Sequence, residues 1–425
     1  VKGLDPLNAA ERARLMSAAR PRTSLPLFRE SESRRLPLAG EARPIDRNDR
    51  PIYVVWEITL KCDLACRHCG SRAGPARPDE LSLEEALDVV RQLAELGVKE
   101  VTLIGGEAYL YEGFTEVIAA IRARGMQSSM VTAGRGFDEA RARAAQRAGL
   151  QTVSFSIDGD EATHDRLRGL EGTYRGALAA MQICRQIRLP FSVNTQVNRL
   201  SMPHLAHVFG MLRDAGAHGW QIQLSVPAGR AADEPEVLLQ PYDLLTLFPE
   251  LARLKALADQ ARIKCLLGNN VGYFGPYDHL LRNLSPCGHS TSCPAGRLGM
   301  GIEANGDVKG CPSLPTQRWV GGNSRERSIA DIWERSEPLR YNRDRTVDDL
   351  WGFCRTCYYA DECRAGCTWM SSSVLGRPGN NPYCHHRALE LEKRGVRERV
   401  VLAEAAPGTP FDHGLFELVT EPIPS

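Results

Sequence analysis

The chain has 425 residues, 43% hydrophobic and 25% charged, the composition of a globular protein too long for a single core of about 100–200 residues. Its 53 basic and 52 acidic side chains leave a net charge of +1, which excludes nucleic-acid binding driven by bulk charge, because counterion release needs a surplus of Lys and Arg on one face. The sequence has no run of about 18 apolar residues, so no membrane span is expected.

Residues 1–50 are rich in Arg and Pro with few periodic apolar positions, and read as a partly ordered arm with a short helix around Ala9–Ala19. The opening Val1-Lys2-Gly3-Leu4-Asp5 lacks the basic-then-apolar pattern of a secretory signal. A cytoplasmic location is therefore expected. From residue 51 the texture changes. Strands are predicted at Tyr53–Ile58, Val101–Ile104, Gln127–Thr132, Thr152–Ile157, Phe191–Val197 and Trp220–Leu224. Helical patterns lie between them at Ser82–Leu96, Phe114–Arg124, Asp138–Ala148, Tyr174–Ile187 and Met202–Ala215. This alternation predicts an α/β fold with a parallel sheet, open or curled into a barrel, whose ligands sit at the carboxyl ends of the strands. A helix at Tyr242–Ala261 and an apolar run at Ile263–Leu267 close the unit. After residue 285 the periodicity fades and Cys, Gly and Pro become dense to about residue 385, a stretch whose stability calls for covalent or metal staples. Helical texture resumes at Arg387–Ala405 before a Pro-containing tail.

Thirteen cysteines in a reducing compartment point to metal ligation rather than disulfides, and the odd number leaves one unpaired in any case. Just beyond the first strand stands Cys62-Asp-Leu-Ala-Cys66-Arg-His-Cys69. Three thiolates in one such loop can hold three corners of an iron–sulfur cubane and leave its fourth iron open to an exogenous ligand, or can form a zinc loop short of one ligand. Eight more follow as Cys287, Cys293, Cys311, Cys354, Cys357, Cys363, Cys367 and Cys384. They suffice for two fully ligated four-iron clusters or for two all-cysteine zinc sites. Cys184 and Cys265 lie in apolar patterns and read as buried, inert thiols.

The triplet resembles the signature of the radical S-adenosylmethionine (SAM) superfamily. The resemblance implies that the open iron is chelated by SAM and that His68 stands at the ring-bearing position before the last Cys. It also gives roles to residues further on. Gly105-Gly106-Glu107 after the second strand would receive the methionine amino group, Ser156 on the fourth strand would meet the ribose, and Arg168 would pair with the methionine carboxylate. Asn194 and Leu224 fall where ribose and adenine contacts occur. The later cysteines resemble the SPASM extension of the superfamily. By that resemblance Cys287, Cys293, Cys311 and Cys367 hold a first auxiliary [4Fe-4S] cluster, and Cys354, Cys357, Cys363 and Cys384 a second.

The implied architecture is a partial (β/α)6 barrel of the radical SAM type followed by a cysteine-rich, cluster-stapled SPASM domain. Its parts are an arm at 1–50, the barrel at 51–267, a linker and auxiliary-cluster region at 268–390, and a C-terminal helix and tail at 391–425. The implied activity is reductive cleavage of SAM to a 5′-deoxyadenosyl radical and hydrogen abstraction from a ribosomally made peptide, giving an oxidation such as a crosslink or desaturation. Three [4Fe-4S] clusters, SAM and an electron donor such as flavodoxin or ferredoxin are implied with it. A small molecule or tetrapyrrole precursor is the alternative substrate, and a non-catalytic zinc or iron–sulfur scaffold the alternative class. Only about 50 residues precede the first strand, so a complete leader-binding module is not expected. Cys311 is followed by Pro312 rather than the Asp of sulfatase-maturing members, which argues against that subtype and leaves no catalytic base assigned. The stretch from Gly268 to Tyr277, through Tyr273 and Phe274, reads as a packed linker or a cleft wall. Arg230 reads as a solvated charge or a carboxylate ligand at the barrel mouth.

Overall fold

The computed structural model describes residues 41–271, 274–282 and 293–424. The predicted helix around Ala9–Ala19, Tyr273 and Cys287 lie outside them. Strands β1 (Tyr53–Thr59), β2 (Glu100–Gly105), β3 (Gln127–Thr132), β4 (Thr152–Ser156), β5 (Phe191–Val197), β6 (Gly219–Leu224) and β7 (Lys264–Leu267) pair in parallel in chain order. Strand β8 (Gly299–Ile302) adds in parallel to the other edge of β1, and β9 (Asp307–Lys309) and β10 (Val320–Asn323) extend it antiparallel. The sheet stays open, with β7 and β10 as its ends.

Period-two alternation sorts the sheet into two faces. Val54, Trp56 and Ile58 of β1, Val101 and Leu103 of β2, Val153 and Phe155 of β4, and Trp220 and Ile222 of β6 are buried in one core with helix residues such as Val90, Leu93, Val117 and Leu212. Each such side chain contributes roughly 1.5–3 kcal/mol by leaving water. The opposite face carries small polar residues in register. Ser154 stands beside Ser192, Ser156 beside Asn194, Asn194 beside Gln221 and Gln196 beside Gln223, all half-buried. Helix ends follow local chemistry. The Ser82 hydroxyl accepts from the Glu85 amide while the Glu85 carboxylate accepts from the Ser82 amide, and Asp138 and Asp160 cap Glu139–Ala148 and Glu161–Arg168.

Several elements differ from the sequence expectation. In the main sheet the six expected strands grow to ten among the described residues, because Ile263–Leu267 supplies β7 and the cysteine-rich region supplies β8 to β10. That region also forms helices Ile329–Arg335, Glu337–Asp344 and Thr368–Leu375, whose Ile332, Trp333, Leu339, Met370 and Val374 join the main core. Apolar burial therefore stabilises it alongside any staple. Helix Glu161–Arg168 had no counterpart in the apolar pattern because three of its four buried residues, His164, Asp165 and Arg168, are polar. The expected helix at Arg387–Ala405 is corrected. It runs only over His385–Lys393, and after Gly395 (φ +71°) the chain becomes β11 (Val396–Glu404), paired antiparallel with β12 (Leu415–Pro422) in what was expected to be a tail. The β-branched run and the left-handed glycine outweigh the charged residues that imitate a helix.

The described end of the N-terminal arm is pinned by one buried carboxylate. Asp46 in helix Pro44–Asn48 meets Arg340 at 2.8 Å and the fully buried Arg343 at 3.0 Å, and these guanidinium groups with Arg43 hold it well below the usual carboxylate range against the opposing effect of burial. A depressed carboxylate contributes stability above its ordinary pKa and loses it as pH falls through that range. Asp46→Ala is expected to cost about 3–5 kcal/mol in denaturant unfolding at neutral pH, because Arg343 keeps a buried charge without its partner, and to flatten the acid limb of the stability profile.

Candidate functional site

The loop after β1 carries Cys62, Cys66 and Cys69 and is held by backbone groups and side chains from distant parts of the chain. A register shift between Glu57 and Thr59 re-aims the end of β1 toward it. The Cys62 amide donates to the Gly74 carbonyl at 2.8 Å, and the Gly74 amide donates to Leu60 at 3.0 Å. From the end of β2 the amides of Gly106 and Glu107 donate to the carbonyls of Thr59 and Lys61, each at 2.8 Å. Glycine is required there by close approach, since a Cβ at Gly105 would meet the Thr59 carbonyl and one at Gly106 the Lys61 carbonyl. Cys62, Cys66 and Cys69 pack together with Leu64 and Ala133. Burial pushes the Cys62 thiol up to about 12 and raises Cys66 as well, so these thiols lose their protons readily only to a bound cation.

Glu107 is buried, its two carboxylate oxygens accepting from the Thr132 hydroxyl at 2.6 Å and the Ala133 amide at 2.7 Å, and burial pushes it up to about 7. Each oxygen keeps a second lone pair. Next to the triplet lies a group centred on the fully buried Asp158. It meets Nε2 of His68 at 3.2 Å and Nη2 of Arg168, and accepts from the Gln196 amide at 2.9 Å. Burial alone would raise Asp158, but Arg168 and His68 outweigh it and keep the carboxylate ionised. Four buried polar atoms in this region have no hydrogen-bond partner among the described residues: His68 Nδ1, Arg168 Nε, Nε2 of His164, whose Nδ1 accepts from the Asp158 amide, and Asn194 Oδ1 on β5. Such atoms cost about 1–3 kcal/mol each unless a ligand or water satisfies them. Ser156 faces the polar side of the sheet beside Asn194. Leu224 stands apart, its side chain in the helix-covered core and its backbone amide and carbonyl both paired with Asn270.

Arg230 takes neither role expected for it. Its Nε donates to the Cys66 carbonyl at 2.7 Å, its Nη atoms to the Ala73 carbonyl at 3.0 and 3.1 Å, and its amide to the Cys69 carbonyl at 3.0 Å, so it clamps the cysteine loop. The turn between β11 and β12 adds Asp412, which accepts from Arg72 at 2.7 Å and whose carbonyl accepts from the Gly229 amide. Sequence reasoning missed Asp158 and Asp412 as parts of the site and gave Arg230 a different role there. For Asp158 the available signal was a carboxylate two residues past Ser156 at a strand's carboxyl end; Asp412 lies too far along the chain to leave one.

The later thiols form two groups. Cys354, Cys357, Cys363 and Cys384 line one pocket with Phe274, Phe353, Tyr359 and His386. The amides of Asn381 and Tyr359 donate to the sulfurs of Cys354 and Cys357, each at 3.4 Å. Phe274 stacks on Tyr359 with ring centroids 4.6 Å apart, so this part of the linker walls the pocket. Cys293, Cys311 and Cys367 lie close enough for their charges to interact. Burial pushes Cys384 up to about 12 and Cys311 to about 11. Among the described residues no three His, Cys, Asp or Glu side chains converge tightly enough for one metal ion. The four sulfur donors around the pocket of Cys354, Cys357, Cys363 and Cys384 fit a polynuclear iron–sulfur group. Cys184 and Cys265 are buried in the apolar core, away from both groups.

A family model described as the radical SAM superfamily matches residues 56–202, and the SPASM model, an iron-sulfur cluster-binding domain, matches residues 293–358. The chain belongs to the radical SAM superfamily and carries a SPASM domain. This radical SAM enzyme is 27% identical over 350 residues to the AdoMet-dependent heme synthase of Methanosarcina barkeri, covering 81% of this chain and 99% of that protein. It is 28% identical over 338 residues to the PqqA peptide cyclase of Gluconobacter oxydans, covering 79% and 90%. Streptococcus suis SuiB, solved bound to its precursor peptide SuiA, shares the fold with a TM-score of 0.59 at 16% identity over 76% of this chain and 73% of that one.

Gly106→Ala is expected to displace the cysteine loop by driving a Cβ into the Lys61 carbonyl, weakening SAM binding by about tenfold or more and lowering the melting temperature. Gly70→Ala, where a Cβ meets nothing within 4 Å, should leave both unchanged. Equilibrium binding and thermal unfolding under anaerobic conditions check the pair.

Proposed function

We propose that this enzyme cleaves SAM reductively and uses the resulting radical to oxidise a ribosomally made peptide. Cys62, Cys66 and Cys69 would hold a four-iron cluster with one open iron. When reduced, that cluster supplies one electron to the sulfonium of bound SAM, which divides into methionine and a 5′-deoxyadenosyl radical that takes a hydrogen atom from an unactivated carbon. The observation that carries the reading is three clustered thiols next to His68 and Arg168, each with an unpartnered buried nitrogen, together with the unpartnered Asn194 Oδ1 on β5 beside Ser156. These atoms suit the polar edges of an amino-acid nucleoside. Gly105 and Gly106 admit close backbone approach, Glu107 offers lone pairs to an ammonium group, and Ser156 offers a hydroxyl to the ribose, whereas Leu224 on β6, buried in the core, is left without a role. Cys287, Cys293, Cys311 and Cys367 would hold one auxiliary cluster, and Cys354, Cys357, Cys363 and Cys384 another. Two such groups suit a net oxidation, in which the electron left on the substrate needs an acceptor, better than an epimerisation, which needs none.

A peptide substrate is supported by the polar side of the sheet. Ser154, Ser192, Asn194, Gln196, Gln221 and Gln223 offer alternating donors and acceptors, which match a peptide backbone. A tetrapyrrole precursor is the second reading, favoured by the match to nearly the whole length of a heme synthase. The basic side chains and apolar walls suited to its carboxylates and rings are not what these strands present. A cytoplasmic location with a flavodoxin or ferredoxin as electron donor completes the proposal.

Anaerobically reconstituted protein is expected to bind about 12 irons, as three four-iron clusters, and to release 5′-deoxyadenosine with dithionite and SAM. Cys69→Ala should abolish that release. Cleavage persisting in Cys69→Ala, or two zinc ions with no cleavage, would refute the assignment. Cys357→Ala is expected to retain SAM cleavage while losing modified peptide, with circular dichroism to show that the fold survives; mass spectrometry of a co-expressed neighbouring peptide reads the product.

A further inference from the structure

We propose that Asp158 and Arg168 are positioning residues that set the reduction potential of the cluster at Cys62, Cys66 and Cys69 through an N–H···S hydrogen bond from Arg168 to the Cys66 sulfur. The inference rests on the cluster reading above and adds to it a function for two residues outside the cysteine loop.

Arg168 is the last residue of helix Glu161–Arg168, and the turn that follows is fixed by Gly169 (φ +73°). The helix end is docked on the cysteine loop, because the Arg67 amide donates to the Leu167 carbonyl at 2.8 Å. From there the buried guanidinium has two committed arms: Nη2 donates to Asp158 Oδ2, and Nη1 reaches the Cys66 sulfur at 3.7 Å. Asp158 itself cannot shift freely, since its other oxygen accepts from the Gln196 amide on β5 and it also meets His68 inside the loop. The carboxylate thus aims the cation at the thiolate. Among the described residues Arg168 is the side chain recorded as donating an N–H to a sulfur of this triplet.

A cation and its N–H at a ligand sulfur favour the state with more negative charge, so they stabilise the cluster after it gains an electron. The step is a one-electron gain by the cluster with no proton transferred. With Arg168 absent, the Cys66 sulfur loses its cationic donor, and the added charge is opposed by the buried environment and neighbouring carboxylates.

The test is an EPR-monitored redox titration of the full chain, reconstituted without oxygen. The relevant signal is identified by its absence from a Cys62→Ala/Cys66→Ala/Cys69→Ala variant. Arg168→Gln is expected to make reduction about tenfold less favourable, a midpoint lower by about 59 mV for one electron. Because this change leaves Asp158 as an unpaired buried charge, an Asp158→Asn/Arg168→Met double variant is titrated alongside and should also show a lowered midpoint, by less because the carboxylate's opposing charge is removed with the cation. An unshifted midpoint in either loaded variant overturns the proposal. Loss of the signal from both variants assigns the pair to folding of the loop and overturns it equally. Absence of the signal from the unaltered protein would overturn the cluster reading, and the proposal with it.

Discussion

An irregular loop with three buried thiols exposes more backbone donors and acceptors than it can satisfy itself, and the supply of partners for them is the constraint on which the site depends. Here they come from four separate places. The glycines ending β2 lie against Thr59 and Lys61, Gly74 closes the loop on itself, Leu167 takes the Arg67 amide, and Arg230 clamps the carbonyls of Cys66 and Ala73. The C-terminal hairpin reinforces this from outside by bringing Asp412 onto Arg72 and Gly229. The loop is therefore held by the whole fold.

The SPASM region is joined to the barrel by the same physical means. Strand β8 continues the barrel sheet, and buried charges lie across that seam. Glu57 of β1 and Glu303 after β8 share Arg77, and Glu303 also binds the fully buried Lys309 at 2.6 Å. Burial pushes Glu57 up to about 8, whereas Lys309 and Arg77 overcome burial to lower Glu303. Two cations divided between two carboxylates beside Cys311 fix the distance between the loop of the first cysteines and the auxiliary thiols.

Much of this was legible in the sequence, for reasons that differ by element. Strands β1 to β6 announced themselves by β-branched runs separated by capped amphipathic helices, and the cysteines by spacing. What stayed hidden rests on contacts far apart in the chain. Helix Glu161–Arg168 buries polar residues because they serve Asp158 and its neighbours, so it lacks an apolar stripe. Strands β8 to β10 are only three or four residues long, two of the four residues in β8 and in β10 being glycine, and they gain their order from pairing with β1 and in turn with one another. Strand β11 carries three Arg or Glu residues in its first four positions, which read as helix until Glu398 is seen paired with the buried Arg387. Arg230 looked like a surface charge since nothing local reveals that three of its nitrogens face carbonyls of a loop more than 150 residues earlier.

The geometry divides the labour between two sides of the sheet's carboxyl end. One side gathers sulfur and buried charge, and the other lines a half-buried surface with hydroxyls and amides on which a substrate chain can lie. The claim uniting them is that SAM sits between, bound directly to an iron that the protein leaves open. Electron–nuclear double resonance on the reduced protein with SAM labelled by nitrogen-15 in its amino group tests this most directly. A resolved coupling from that nitrogen to the cluster is the predicted result; a cluster spectrum untouched by the label, with SAM shown to be bound, would contradict it.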